Sequence, residues 1–189
     1  MVSGRLTLIP SIDVTTESFG YLYGFLLGDG HIRTNRNYVE FDNTDSSIIE
    51  SLKTALGQLE LKYKTYKKAH NITALCVYSK LFVAFLFSVK LEAINKKGFL
   101  DGFYDAEGHV VNRINSCGNF QRWYGITNTK RELLIFYQNL LISFGIESKL
   151  YNVRRSSTVY PQPLFRVCIQ KKDAVAKFGK LLNHNERGD

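Results

Sequence analysis

Cysteine is scarce in this chain of 189 residues, and its three copies, Cys76, Cys117 and Cys168, show no C-x-x-C spacing. This pattern supports neither a disulfide framework nor a zinc site, and it favours a reducing compartment. Long apolar runs are also lacking, because those near 19–28 and 81–89 are well short of the ~18 residues that a membrane span needs. No signal peptide is recognisable. We therefore predict an intracellular protein without membrane contact, cytoplasmic in a prokaryote and organellar in a eukaryote.

Acidic residues are outnumbered, since 17 Asp and Glu face 25 Lys and Arg, and the formal net charge is +8. A polyanion is thus the expected partner, with nucleic acid ahead of membrane because no basic amphipathic helix or lipidation signal stands out. Aromatic residues are plentiful, which is typical of a folded protein rather than a disordered basic tail. The length allows one domain or two fused halves of roughly 90 residues.

One nine-residue phrase occurs twice, as LYGFLLGDG at 22–30 and as LDGFYDAEG at 100–108. Each copy ends in an acid followed by glycine, and the acids, Asp29 and Glu107, lie 78 positions apart. Two longer pairs of segments align as well. Residues 41–66 align with 126–151 at an offset of 85, and residues 75–85 align with 167–178 at an offset of 92. We interpret the chain as an internal duplication whose second half carries two loop insertions.

Each half predicts the order helix, two strands, helix, two strands, helix, so the chain is expected to be an α+β protein of two pseudo-symmetric αββαββα repeats. The delimited strands are 37–41, 73–78, 122–127 and 164–169, and the helices outside the repeated phrase are 45–58, 80–88, 130–144 and 172–183. The repeats are assigned as an extension at 1–15, a first repeat at 16–88, a linker at 89–96 and a second repeat at 97–189. The insertions are expected within 112–123 and 154–164.

The repeated phrases predict helices at 18–29 and 97–107, each with small residues four positions apart. These pairs are Gly24 with Gly28 and Gly102 with Ala106. Small residues at this spacing form a flat stripe along which a second helix can approach closely. We expect the two helices to pack on each other, and this contact would bring Asp29 and Glu107 side by side near a pseudo-twofold axis.

An acid at the end of a helix is unfavourably placed, because that end carries negative partial charge, and the mismatch costs about 0.3–1 kcal/mol. Two such acids, Asp29 and Glu107, would be stabilised by a nearby cation. Their carboxylates and the carbonyls of Gly28 and Ala106 would form an all-oxygen site of the kind that Mg²⁺ prefers.

The glycine after each acid also has an expected role. Helices commonly end at a residue in the left-handed conformation, which glycine adopts without steric penalty. Gly30 and Gly108 are therefore expected to cap the two helices in that conformation. The plain alternative for the whole phrase is a buried helix with a solvated terminal acid, and two copies in register argue against it.

The paired phrases resemble the motif that names the LAGLIDADG homing endonucleases, and the resemblance covers about 16–183. It resembles the monomeric type with two repeats in one chain. The resemblance implies a central helix pair flanked by four-stranded antiparallel sheets that form a saddle over double-stranded DNA with a long, pseudo-palindromic or asymmetric target. It also implies that the two acids hold Mg²⁺, that Mn²⁺ substitutes, that Ca²⁺ binds without cleavage, and that both strands are cut across the minor groove to leave 3′ overhangs.

Polar residues at matching places in the two repeats are candidates for assisting at the metals, since family members carry such residues there. They are Lys80 and Lys172 as electrostatic helpers, Asn43 and Asn128 as residues that position water, and His31 and His109 as a pair near the phosphates. The alternative is that the lysines are solvated surface residues and the histidines incidental.

DNA contacts are expected from alternate residues of the strands, because side chains two apart share one face of a sheet. The basic candidates are Arg33, Arg36, Lys62, Lys64, Lys67, Lys68, Arg113, Arg122, Lys149, Arg154, Arg155 and Arg166. Any one of them could instead be solubilising surface, and the group is a firmer prediction than its members.

Both acids are retained, which favours a site-specific, double-strand DNA endonuclease of intron homing. Two alternatives use the same scaffold: an RNA maturase whose partner is the host intron RNA, and a DNA-binding regulator without catalysis.

Overall fold

The structure is a computed structural model that describes residues 11–114, 117–153 and 163–182. These residues form six α-helices and eight β-strands. In chain order they are α1 (Glu17–Gly28), β1 (His31–Arg33), β2 (Tyr38–Asn43), α2 (Ser46–Gln58), β3 (Lys64–Lys67), β4 (Thr73–Tyr78), α3 (Lys80–Ser88), α4 (Lys96–Glu107), β5 (Gly108–Ile114), β6 (Phe120–Asn128), α5 (Arg131–Ser143), β7 (Lys149–Val153), β8 (Leu164–Ile169) and α6 (Lys172–Leu181). Within these residues, no helix combines the length and the apolar character that crossing a bilayer requires.

The strands form two four-stranded antiparallel sheets with the same strand order, β1-β2-β4-β3 and β5-β6-β8-β7. This confirms the α+β class and the duplicated αββαββα architecture. The predicted helices and the four delimited strands are present, and their described ends lie within two residues of the expected ones. The delimited strands are the inner strands of the sheets.

Helices of the first repeat begin at side-chain caps. The Thr16 hydroxyl accepts a hydrogen bond from the backbone N–H of Phe19, and the Asp45 carboxylate accepts one from that of Ser47. Such caps satisfy backbone N–H groups that have no partner inside the helix, which fixes where α1 and α2 start.

One face of the first sheet packs against helices. Val39 and Phe41 of β2 and Leu75 and Val77 of β4 are buried, and the register pairs them across the strands. The ring of Phe41 lies 6.4 Å from that of Phe25 on α1. Because side chains alternate along a strand, the residues between them project from the other side, which we call the open face of the first sheet.

The second sheet is built in the same way. Tyr124 and Ile126 of β6 and Val167 and Ile169 of β8 are buried, and Tyr124 stacks edge-on against Phe178 of α6 with ring centroids 5.0 Å apart. The register pairs Ile126 with Val167 and Tyr124 with Ile169. The side away from these residues is the open face of the second sheet.

Packing divides the chain into two compact units, Met1–Ala106 and Glu107–Asp189. The first unit includes all of α4 except its last residue. The helix belongs to this unit because glycines of α1 and α4 allow the two helix backbones to approach each other closely. A Cβ on Gly20 would lie 2.6 Å from the carbonyl oxygen of Asn95, and backbone atoms oppose Gly24, Gly98 and Gly102 more closely still. The predicted helix contact is therefore confirmed, and it includes Gly20 and Gly98, one turn earlier than the expected stripe.

The expected left-handed caps at Gly30 and Gly108 are wrong, since neither residue has a positive φ. The chain passes almost directly from each helix into the next strand: α1 ends at Gly28 before β1, and β5 starts at Gly108 itself. Gly30 is small for another reason, because a Cβ there would lie 2.6 Å from the Cα of Leu26. Left-handed residues instead follow two other helices, at Glu60 after α2 and at Gly145 after α5.

The two loop insertions differ in what can be described. The first lengthens a hairpin, because β5 has seven residues where β1 has three. The second falls between β7 and β8, and its residues 154–162 lie outside the described part of the chain.

Candidate functional site

Asp29 follows the last residue of α1 and borders an open pocket of about 250 Å³. The pocket brings together the strand-end asparagine expected from the sequence and the histidine that follows the acid. Its lining consists of Asp29, His31, Asp42, Asn43, Thr44 and Ile72. Oxygen atoms therefore dominate its polar groups, and they come from the residue that follows α1 and from the end of β2.

The pKa of Asp29 is raised above its ordinary value of 3.8. Although the residue as a whole is exposed, surrounding protein atoms desolvate its carboxylate, and this is the main cause. The nearby carboxylate of Asp42 raises the pKa further, and His31 acts in the opposite direction. A nearby cation would stabilise the charged form of a carboxylate in this environment.

A polar network lies beside this pocket on the open face of the first sheet. Lys68 donates to Glu40 Oε1 at 2.9 Å and to Asp42 Oδ2 at 2.7 Å. Partial burial opposes the charge of Lys68, but these two hydrogen bonds together raise its pKa. Glu40 also accepts from the Cys76 thiol at 3.5 Å. Burial, aided by Glu40, raises the pKa of Cys76 to about 11, so this cysteine is not a nucleophile near neutral pH.

Glu107 ends α4 and has a partner from the second repeat. The Asn128 side-chain N–H₂ donates to Glu107 Oε1 at 2.6 Å, and Asn128 Oδ1 accepts from the backbone N–H of Lys130 at 2.8 Å. The same turn occurs in the first repeat, where Asn43 Oδ1 accepts from the N–H of Asp45 at 2.9 Å. The side-chain oxygen of each asparagine thus accepts a hydrogen bond from the backbone N–H two residues later. Each asparagine also lies beside the acid of its own unit.

The donor set suits a hard divalent cation that keeps part of its hydration shell. Carboxylate and amide oxygens are the ligands that Mg²⁺ takes in proteins. Across 11–114, 117–153 and 163–182, no three His, Cys, Asp or Glu side chains are grouped closely enough to hold a metal. Asp29 or Glu107 would therefore supply one or two ligands, and water or substrate oxygens would complete the shell, which is the usual way Mg²⁺ is bound.

The structure does not bring Lys80 and Lys172 to the acid of their own unit. Lys80 begins α3 beyond the Tyr78 end of β4, whereas Asn43 pairs with Thr73 at the opposite end of that strand. Lys172 begins α6 beyond Ile169, and Asn128 pairs with Phe165 near the other end of β8. Both lysines are exposed helix-start residues, separated from those asparagines by about the length of a strand.

The two histidines have different surroundings. His31 is exposed and borders the Asp29 pocket. His109 is half-buried and packs edge-on against Trp123, with ring centroids 5.7 Å apart. Burial lowers the pKa of His109, and the positive charge of Arg166 lowers it further. Of the expected pair, His31 lies beside the acid of its own unit, and His109 packs on an aromatic ring of β6.

Strand register sorts the basic candidates. Arg33 and Lys64 project from the open face of the first sheet, and Arg113, Lys149 and Arg166 from that of the second. Lys68 follows β3 and reaches the open face through its hydrogen bonds. The remaining candidates are Arg36 and Lys62 in turns, Lys67 and Arg122 on the helix-packed faces, and Arg154 and Arg155 outside the described residues.

Sequence reasoning missed Glu40 and Asp42. The segment NYVEFDN carried the signal, because its acids alternate with Val39 and Phe41 and so belong to the face away from the core. These two carboxylates lie on the same open face as Arg33 and Lys64, which were predicted to contact DNA.

Replacing Asp42 with Asn is expected to lower the pKa of Asp29 toward its ordinary value, because a neighbouring negative charge is removed. Lys68 keeps its hydrogen bond to Glu40, so the network should survive. Carbon-13 NMR titration of the carboxyl groups in the metal-free protein measures the shift. Glu50→Gln, an exposed change on α2, is the control that should leave Asp29 alone, and an unmoved midpoint in the Asp42 variant would contradict this account.

Comparison with known proteins agrees with this architecture. Two uncharacterised proteins of Methanocaldococcus jannaschii are 33% and 25% identical over 164 and 185 residues, which is 78% and 86% of this chain. The chain spans 60% and 65% of the length of these relatives.

Solved structures resemble the fold at low sequence identity. Full-length DUF199/WhiA from Thermotoga maritima has a TM-score of 0.66 at 12% identity, covering 96% of this chain and 60% of that one. Variants of the homing endonuclease I-DmoI give 0.63 at 16%, covering 92% and 99%. I-DmoI in complex with DNA and Ca gives 0.62 at 16%, covering 92% and 93%.

The sequence profile of the LAGLIDADG-like domain matches this chain twice, over residues 16–90 and 95–183. These matches correspond to the two copies of the repeated phrase, each followed by a sheet of the same strand order. The chain belongs to the LAGLIDADG-like domain family.

Proposed function

We propose that the protein is a site-specific, double-strand DNA endonuclease of intron homing, with one metal-binding acid in each repeat. The observation that carries the proposal is the repeated pairing of an acid with an asparagine. Asn128 donates to Glu107, and Asn43 borders the pocket of Asp29. A protein that kept this fold only for packing would have no need of two acids at helix ends with polar groups beside them.

In this proposal Asp29 and Glu107 each hold a divalent metal, with carbonyls of Gly28 and Ala106 as further oxygen ligands. Such a metal lowers the pKa of water and neutralises charge on the leaving oxygen of a phosphodiester. Asn128 fixes the carboxylate of Glu107 through its side-chain N–H group, and both asparagines, Asn43 and Asn128, orient water. Mg²⁺ is the expected cofactor, Mn²⁺ is expected to substitute, and Ca²⁺ to support binding without cleavage; the neighbouring I-DmoI structures contain Mg, Mn or Ca.

His31 is proposed to assist at the first acid, since it lies in the same pocket. Lys80 and Lys172 are not included, because within their own units they lie at the far end of a strand. The product is expected to carry 3′ overhangs, and the active species is expected to be the monomer, since both acids are in one chain.

Duplex DNA is proposed to lie on the open faces of the sheets. Those faces carry five cations on strands, and arginine and lysine neutralise phosphates with release of counterions. The cations are Arg33, Lys64, Arg113, Lys149 and Arg166.

If each of these five cations meets one phosphate, the logarithm of the association constant should fall against the logarithm of salt with a slope of about −4.5. Fluorescence anisotropy with a labelled duplex in EDTA measures it. Arg113→Gln should make the slope shallower by about one, whereas Lys67→Gln, on the helix-packed face, should leave it unchanged. A flat salt dependence in the wild-type protein would remove the phosphate contacts.

A DNA-binding protein without catalysis is the second candidate, because the fold likeness extends to WhiA as well as to I-DmoI. One experiment separates the two. The protein is incubated with Mg²⁺ and plasmids carrying random inserts, and the ends produced are sequenced. Recurrent ends at one site with 3′ overhangs support the nuclease, and binding to duplex without new ends supports the second candidate.

A further inference from the structure

Two rows of residues cross the open face of each sheet, and strand register aligns them between the units. In the first unit one row runs His31, Glu40, Cys76, Lys64. In the second unit the matching row runs His109, Gly125, Cys168, Lys149. Three of the four positions carry the same residue type in both units, so the two rows are correctly aligned. The fourth position, Glu40 in the first unit and Gly125 in the second, is therefore a specific difference between the units.

The neighbouring row shows the same contrast. It holds Asp42, Ala74 and Tyr66 in the first unit. It holds Thr127, Arg166 and Tyr151 in the second. Together, the matched rows place two carboxylates and one lysine on the first open face, but one lysine, one arginine and no carboxylate on the second.

The contacts around these positions differ between the two faces. On the first face the carboxylates of Glu40 and Asp42 both hold Lys68, which neutralises its charge. On the second face His109 lies directly over Gly125, where a Cβ would lie 2.6 Å from His109 Cε1. Arg166 donates to the hydroxyl of Thr127 at 3.1 Å and lies 5.9 Å from the centroid of the Trp123 ring. Among the described residues, no carboxylate forms an ion pair with it.

We propose that the two sheets divide the work of recognition: the open face of the second sheet supplies most of the phosphate-dependent affinity, and Asp42, beside the buried Glu40 that also holds Lys68, makes that of the first sheet the discriminating half. This inference rests on the proposed function, because it takes duplex DNA as the ligand. Carboxylates repel phosphate and accept hydrogen bonds from base amino groups, above all that of cytosine, whereas arginine and lysine bind phosphate and guanine.

The difference at one aligned position allows a reciprocal exchange. Asp42→Thr gives the first face the residue of the second, and Thr127→Asp gives the second face an acid that would hold Arg166 as Asp42 holds Lys68. Affinity for a non-specific labelled duplex is measured in EDTA, so that no metal is bound. Each exchange alters about one phosphate interaction, so Asp42→Thr should tighten binding about fivefold and Thr127→Asp should weaken it by a similar factor.

A second matched pair tests the same division at exposed positions. Lys64 and Lys149 occupy the same place in the two rows, and both are exposed. Lys149→Gln should weaken binding several-fold more than Lys64→Gln and make the salt dependence shallower. Thermal melts of the four variants confirm that each is folded.

The outcomes separate the two levels of the proposal. A wild-type protein with no salt-dependent binding to duplex would overturn the proposed function and this inference with it. Wild-type binding combined with equal losses for Lys64→Gln and Lys149→Gln, or with Asp42→Thr binding no tighter than wild type, would overturn the division of work alone.

Discussion

Replacing Asp29 with Asn, or Glu107 with Gln, is expected to reduce cleavage at least about 100-fold while leaving duplex binding within a few-fold of wild type. Either change removes a carboxylate that is proposed to hold the metal, and loss even of groups behind metal ligands typically costs 10–100-fold. Supercoiled plasmid carrying the target measures cleavage in Mg²⁺, and anisotropy in Ca²⁺ measures binding.

Asp173→Asn is the matched control, because Asp173 is an exposed acid in the first turn of α6 and should not affect cleavage. If either site variant cut at the wild-type rate with Mg²⁺ present, the assignment of the acids would be wrong. Nicking of one strand by one variant would instead agree with one acid serving each strand.

The Asp29 variant should also be at least as stable as wild type. Because the pKa of Asp29 is raised, the folded protein binds its proton up to a higher pH than the unfolded chain does. The unfolding free energy therefore falls as the pH rises from about 3.8 through the raised value. Asn removes this loss, so the variant should melt slightly higher at neutral pH, and the difference should vanish in acid. Lower stability at neutral pH would contradict the cause given for the shift.

Replacing Gly102 with Ala is expected to destabilise the protein by about 3 kcal/mol or more, which is a large part of the stability of a typical domain. The added methyl would meet the backbone carbonyl of Tyr21, and backbone atoms in a helix cannot rotate away as a side chain can. Gly24→Ala should act similarly against Phe99. Urea unfolding followed by circular dichroism measures the loss.

Gly57→Ala is the control for helix propensity, since Gly57 lies in α2 and a Cβ there would have no atom within 4 Å. This change should stabilise the protein by about 0.5–1 kcal/mol, because alanine favours the helix. If Gly102→Ala were as stable as wild type, the close approach of α1 and α4 would not depend on small residues.

The inner strands could be delimited from the sequence, and the edge strands could not. β2, β4, β6 and β8 are inner strands in which apolar side chains face the helices, and such residues give a clear pattern. β1 (HIR) and β3 (KTYK) are short edge strands with exposed polar residues, so their local sequence resembles a loop. The repeated order of elements predicted that these edge strands exist but not where they begin and end.

The sequence by itself determined the duplication, the helix pair and the two acids. Each of these depends on residues within one helical turn or on a long repeated phrase, so local spacing is enough to reveal them. The prediction of a left-handed cap at Gly30 was wrong because it also used local sequence alone. A D-G pair indicates a helix end but does not tell how soon the next strand begins.

Only the tertiary structure decided which side chains share a surface. Lys68 meets Glu40 across 28 positions of sequence, and Arg166 meets Thr127 across 39. Such contacts follow from strand register, which is set by pairing between distant segments and cannot be derived from the spacing within either one. For that reason the sequence predicted a basic protein with two acids at helix ends, whereas the fold decided that two carboxylates hold Lys68 on one open face and that the matching rows of the other carry no carboxylate.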